Sequence, residues 1–119
     1  MGSYIAVITG IHDGDTYDVD IGMPIIEDVH SDIVRLNGFD CPENTTDIGK
    51  QATAFVQKII PIGTQVLLTT QTISWKKEKR EKYGRLLANV MTPNGDLAAL
   101  LASQGLARPY SGEGPKPWP

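Results

Sequence analysis

The stretch DGDTYDVDI, Asp13 to Ile21, decides the class of fold. Asp13-Gly14-Asp15 is a turn signal, because Asp-Gly supplies the backbone freedom that a tight reversal needs. From Thr16 the residues alternate, with Tyr17, Val19 and Ile21 on one face and Asp18 and Asp20 on the other. A period of two over that length is a half-buried strand. Upstream, Ser3–Ile11 (SYIAVITGI) is β-branched and apolar, a strand leading into the same turn. Downstream, Asp32–Phe39 (DIVRLNGF) reads as a third strand. It is reached through a longer connection, Gly22–Ser31, that contains Met23-Pro24.

Beyond an irregular Asp40–Gly49 the period changes. Ala52, Phe55, Val56, Ile59 and Ile60 recur at helical spacing over Lys50–Ile60, and Pro61 with Gly63 ends the helix. Thr64–Thr72 is a threonine-rich strand, Ser74–Tyr83 a charged loop, and Arg85–Thr92 a strand closed by Pro93-Asn94-Gly95. Asp96 reads as the N-cap of a helix over Leu97–Gln104, with Gly105 just past its end. The order β-β-β-α-β-β-α makes an α+β, mainly β domain. It suits a five-stranded Greek-key barrel such as the OB-fold, with helices inserted after strand 3 and after strand 5.

At 119 residues the chain has room for one domain with a real core. Residues 4–110 are expected to form it, and 111–119 a Pro/Gly-rich C-terminal tail. No apolar stretch reaches the roughly 18 residues of a membrane span. Met1-Gly2-Ser3 leads straight into strand-like sequence, with no secretory leader, and Ala6 fails the myristoylation pattern. A single cysteine, Cys41, excludes an internal disulfide and a multi-Cys zinc site.

The net charge of −3 argues against general coating of polyanions, but it is unevenly spread. Residues 1–60 hold 10 acids and 3 bases, residues 61–119 hold 4 acids and 8 bases. Six of those bases (Lys76, Lys77, Lys79, Arg80, Lys82 and Arg85) fall within ten positions. An acidic half beside a basic stretch suits a metal-assisted phosphate site, and equally a solvated loop beside a polar sheet.

Three segments couple charge with a turn or strand end: Asp13-Gly14-Asp15-Thr16, Arg35 through Glu43, and Lys82-Tyr83-Gly84-Arg85. Taken singly, each has a plain structural reading as a hairpin turn, a salt-bridged strand end or a Gly turn with exposed charge. The first is not an EF-hand, since counting from Asp13 puts Tyr17, Asp18 and Pro24 at positions 5, 6 and 12. Together they supply hard oxygen ligands suited to Ca²⁺ or Mg²⁺, a carboxylate to act on water, and arginine forks matched to phosphate. That combination is what phosphodiester hydrolysis requires. His12 and His30 read as surface residues, and no Cys-His pattern surrounds Cys41.

The ordered set also resembles the staphylococcal nuclease family. The matching residues are Asp13-Gly14-Asp15-Thr16, Arg35-Leu36 through Asp40, Pro42-Glu43, Lys82-Tyr83-Gly84-Arg85-Leu86 and Gln104-Gly105-Leu106-Ala107. The resemblance implies an OB barrel and a Ca²⁺-dependent nuclease of little sequence specificity, acting on DNA and RNA without a membrane partner and as a monomer. It implies Asp15, Asp40 and the backbone carbonyl of Cys41 as calcium ligands. It assigns Glu43 to the attacking water, Arg35 and Arg85 to the phosphate, and Lys82, Tyr83 and Tyr110 to the nucleotide. The alternative is a catalytically inactive module of the same fold that binds single strands. Such a module has no need of Asp15, Asp40 and Glu43 beside Arg35 and Arg85.

Overall fold

The computed structural model describes residues 2–23, 28–70, 85–112 and 114–118. In chain order the elements are β1 (Gly2–Asp13), β2 (Thr16–Met23), β3 (Asp28–Leu36), β4 (Phe39–Asp40), α1 (Asp47–Ile59), β5 (Gln65–Thr70), β6 (Leu86–Thr92), β7 (Gly95–Asp96), α2 (Leu97–Ser103) and β8 (Arg108–Pro109). The main sheet runs β3-β2-β1-β5-β6-β7 through antiparallel neighbours. A parallel pairing of β3 with β6, Val34↔Leu86 through Leu36↔Ala88, joins its ends. The five long strands therefore close into the barrel of an OB-fold, with one helix after the third and one after the fifth. Closure leaves no free edge along the joined strands.

The alternation read from Thr16 to Ile21 is what fills the barrel. Tyr17, Val19 and Ile21 are buried, while Asp18 and Asp20 are half-buried on the outer face. Ile8, Val34, Leu36, Leu68 and Val90 meet them from the other strands. The helices add Ala52, Val56, Ile60, Leu97 and Leu101 to the same core. Each large aliphatic side chain contributes roughly 1.5–3 kcal/mol on burial. The Tyr17 hydroxyl donates to the Gly14 carbonyl, so the one polar atom of this core residue also fastens the β1–β2 turn.

Several boundaries differ from the pattern. β1 runs to Asp13, which leaves only Gly14 and Asp15 in the turn. The long connection expected over Gly22–Ser31 is largely ladder, because β2 continues to Met23 and β3 begins at Asp28. Val29 and Ile33 are exposed there, so the paired segment lacks the alternation of burial that marks a strand in sequence. α1 starts at Asp47 rather than Lys50, capped by the Thr46 hydroxyl, which accepts from the Gly49 N–H at 3.0 Å. The second helix has the expected N-cap, with Asp96 accepting from the Ala99 N–H at 3.0 Å. The predicted strand end at Thr72 and the charged loop 74–83 lie outside the described residues.

The first turn of α1 lies hard against the segment that follows β4. A methyl group placed on Gly49 would sit 1.8 Å from the Glu43 carbonyl oxygen and 2.9 Å from that of Pro42. Only glycine allows the helix to start this close, and its lack of a side chain also hid the helix start. In a free helix, glycine to alanine stabilises by roughly 0.5–1 kcal/mol. Here Gly49→Ala should have the opposite sign and cost about 2 kcal/mol. A urea midpoint at or above that of the parent chain would show that the contact is loose.

Candidate active site

The ladder registers determine which side chains meet. Thr16 pairs with Arg35 across β2–β3, and Arg35 pairs with Leu87 across the closing β3–β6 seam. Asp15 immediately precedes Thr16 and Arg85 lies just before β6, so one corner of the barrel collects both arginines and the turn carboxylate. The chain then turns at Asn37-Gly38 and returns through β4, which brings Asp40 to the same corner.

Arg35 is the hub. Its Nη2 donates to Asp40 Oδ1 at 2.8 Å, and its Nη1 lies 3.4 Å from Asp15 Oδ2. Nη1 also donates to the carbonyls of Phe39 at 2.8 Å and Leu36 at 3.1 Å. Asp15 is fixed from three further sides. Its Oδ2 accepts from the Cys41 backbone N–H at 2.9 Å, its Oδ1 from the Thr16 hydroxyl at 3.2 Å, and its carbonyl from the Leu36 N–H at 2.9 Å. Arg85 enters through Thr16, whose hydroxyl oxygen accepts from Nη1 at 3.2 Å. Asp15, Asp40, Arg35 and Arg85 thus form one connected polar network.

Glycine again permits the approach. A methyl group on Gly14 would lie 2.9 Å from both Cys41 Sγ and Ala52 Cβ, so the turn, the residue after β4 and α1 pack without spare room. Cys41 is buried, and desolvation together with the charge of Asp15 pushes its thiol far up, keeping it protonated. Its side chain is packing. Glu43 is exposed, and its carbonyl accepts from the Thr46 N–H and hydroxyl at 3.0 and 2.8 Å, which orders the segment carrying it.

The cluster carries more acid than base. Burial pushes the Asp40 carboxyl up, and the neighbouring Asp15 charge adds to this against the pull of Arg35 and Lys116. Asp13, whose Oδ1 accepts from the Asp15 N–H at 3.1 Å, is raised to about 6 by burial and then by Asp15. Among the described residues no group of three or more His, Cys, Asp or Glu side chains converges on a metal-sized space. The set suggested by resemblance uses two carboxylates and a backbone carbonyl. It consists of hard oxygens only, with like charges held side by side, and that chemistry fits Ca²⁺.

The structure therefore brings together Asp15, Arg35, Asp40, Cys41 and Arg85, with Glu43 on the segment beside them. Lys82 and Tyr83 lie outside the described residues, as do Trp75 and the lysines at 76, 77 and 79. Tyr110 donates its backbone N–H to Gly38 at 2.9 Å and its hydroxyl to Gly114 at 3.0 Å, tying the tail to the turn before β4. His12 and His30 are exposed and pair with Asp18 and Asp32 at 2.8 and 3.0 Å. Sequence reasoning missed the bridging role of Thr16 and the strain on Asp13, although both stand in the quoted turn motif. It also left Trp118 without a place; the indole donates to the Asp40 carbonyl at 2.9 Å.

A family model described as staphylococcal nuclease homologue matches residues 33–117 of the 119. The match spans β3 to the tail, including Arg35, Asp40, Glu43 and Arg85. No curated protein matches the chain.

The raised carboxyl of Asp13 makes stability depend on pH. The unfolded chain releases this proton near the ordinary carboxylate value of 3.8, the folded chain near 6, so the folded state binds more protons between them. Stability through this group is therefore lost as pH rises from about 4 to 6. Asp13→Asn keeps the oxygen that accepts from Asp15 and removes the titration. In EDTA its melting temperature should match the parent at pH 4 and exceed it by a few degrees at pH 7. Parallel melting curves at both pH values would show that Asp13 carries no such penalty.

Proposed function

This chain belongs to the staphylococcal nuclease homologue family, and we propose that it is a calcium-dependent nuclease hydrolysing phosphodiester bonds of DNA and RNA with little sequence specificity, as a monomer. The observation that carries this reading is the convergence of Asp15 and Asp40 with Arg35 and Arg85 at one barrel corner. A module that only binds strands gains from the arginines but pays to bury paired carboxylates.

Asp15, Asp40 and the Cys41 carbonyl would hold Ca²⁺, which when bound supplies positive charge against a phosphate oxygen. The remaining work falls to the side chains. Of the five N–H donors of a guanidinium, Arg35 spends two on chain carbonyls and one on Asp40, leaving two for phosphate oxygens. The held edge fixes the plane of the fork before substrate arrives, so little reorganisation is needed as charge develops. Arg85 approaches from β6 and donates to the same developing charge. Glu43, exposed beside them, orients the attacking water and takes its proton. Attack at phosphorus expels the 5′-oxygen and leaves a 3′-phosphate. Lys82, Tyr83 and Tyr110 hold the nucleotide.

Plasmid and single-stranded DNA should be degraded with Ca²⁺, poorly with Mg²⁺ because it demands near-octahedral geometry, and not in EDTA. Activity undiminished by EDTA refutes the metal assignment, and binding without cleavage in Ca²⁺ favours the inactive module. Arg35→Ala and Arg85→Ala should each lower turnover by roughly 10²–10³-fold, since donors aimed at developing charge act mainly in the transition state. Near-normal turnover in Arg85→Ala removes its role.

Cys41→Thr separates a backbone ligand from a side-chain one. It should retain both calcium affinity and nuclease rate, whereas Asp40→Ala should lose both. Loss of rate in Cys41→Thr with full calcium affinity would point back to the thiol.

A further inference from the structure

Beside the carboxylate–arginine network, and sharing Asp40 and Glu43 with the proposed site, lies a cleft of about 420 Å³. Asp40 and Glu43 line it together with Pro42, Ile48, Arg108, Lys116 and Trp118. Lys116 and Trp118 belong to the C-terminal tail, and Arg108 to β8. Arg108 faces Asp40 across the β4–β8 pair and donates Nη1 to the Pro117 carbonyl at 2.8 Å. Its guanidinium stacks 4.0 Å above the Trp118 ring, whose indole N–H is bonded to the Asp40 carbonyl. The Tyr110 hydroxyl holds Gly114. The residues after β8 are thus fastened to Arg108 and Tyr110, and through Trp118 to the strand that bears Asp40.

We propose that this cleft is a second nucleotide subsite, which receives the nucleotide of a single-stranded substrate adjoining the scissile phosphate. Its sugar and base rest against Pro42, Ile48 and Trp118, and its phosphate is met by Arg108 and Lys116. The proposal rests on the nuclease reading of the neighbouring cluster and extends it along the strand. Three features select this occupant. The cleft is continuous with the catalytic corner through Asp40 and Glu43, so a strand lying across one enters the other. Its lining joins apolar and aromatic side chains to two cations, Arg108 and Lys116, the complement of a base linked to a phosphate. Its volume falls in the usual range for sites that enclose small molecules. Arg108 and Lys116 are both exposed, and Arg108 spends one guanidinium N–H on Pro117, which leaves donors for a phosphate.

The test compares the parent chain with Lys116→Ala and Lys116→Arg, an exposed position where folding is not at stake. Affinity for a labelled six-nucleotide single-stranded DNA is measured in EDTA across a salt series, and turnover of the same strand in Ca²⁺. Lys116→Ala should weaken binding about three- to fivefold. The slope of log affinity against log salt should become shallower by about 0.7, one phosphate contact on a single strand. KM should rise with the dissociation constant while kcat changes little, and Lys116→Arg should restore both. Trp118→Ala should weaken binding more than Trp118→Phe, which keeps a ring in the wall. Cleavage by the parent chain with affinity, salt slope and KM all unmoved in Lys116→Ala overturns the subsite and leaves the nuclease reading standing. Weakened binding in Lys116→Ala where the parent cleaves nothing keeps the subsite and overturns the nuclease reading. Neither binding nor cleavage by the parent overturns both.

Discussion

One guanidinium, that of Arg35, holds the rest of the site in place. It is nearly enclosed, as are its partners: the Arg35, Asp15 and Asp40 side chains are 11%, 8% and 2% exposed. Removing ions from water costs several kcal/mol each, and attraction offsets this only with good geometry and further hydrogen bonds. The fork meets that condition by binding a carboxylate and two carbonyls at once. Those contacts lie on the end of β3 and on β4, either side of the turn at Asn37-Gly38, so one charge dictates how the chain leaves the sheet. Moving any of these segments would strand a buried ion.

The same economy leaves the site short of positive charge. Asp15 presses on both Asp13 and Asp40, and with burial it holds their carboxyls above the ordinary range. A fold selected only for stability would replace one of the acids with a neutral residue. Like charges held this close in a tightly packed corner raise each other's proton affinity, as burial does. Packing around it is close enough that two glycines, Gly14 and Gly49, are needed to admit the neighbours. The rigid shell and the strained charges are complementary: the shell keeps the carboxylates from moving apart to relieve themselves.

Much of this was legible in sequence, for identifiable reasons. The barrel followed from the alternation at Tyr17, Val19 and Ile21 and from the helical spacing of Ala52, Val56 and Ile59, because burial imposes those periods directly. The charged residues of the candidate site were readable as charges placed at turns and strand ends, where burial alone does not call for them. What escaped depends on three-dimensional approach. The hairpin extension of β2 and β3 is held by backbone bonds with exposed side chains, and the start of α1 is set by contact with the Glu43 carbonyl. Trp118 gave no signal, since its partners Arg108 and Asp40 are distant in sequence or hidden in the pairing of two-residue strands. No local pattern encodes a tail folding back onto a barrel.

The parallel seam between β3 and β6 explains why the net charge of −3 is a poor guide to what this chain binds. Closing the barrel there brings the head of β6, which Arg85 precedes, against β3 of the acidic first half. Among the described residues the second half has three cations: Arg85, Arg108 and Lys116. Arg85 is linked to Asp15 through Thr16, Arg108 pairs across from Asp40, and Lys116 lines the same cleft as Asp40 and acts on its charge. All three face one acidic corner rather than spreading over the surface. Opposite charges held by separate strands partly cancel at a distance, yet present distinct acidic and basic groups to a ligand within contact range.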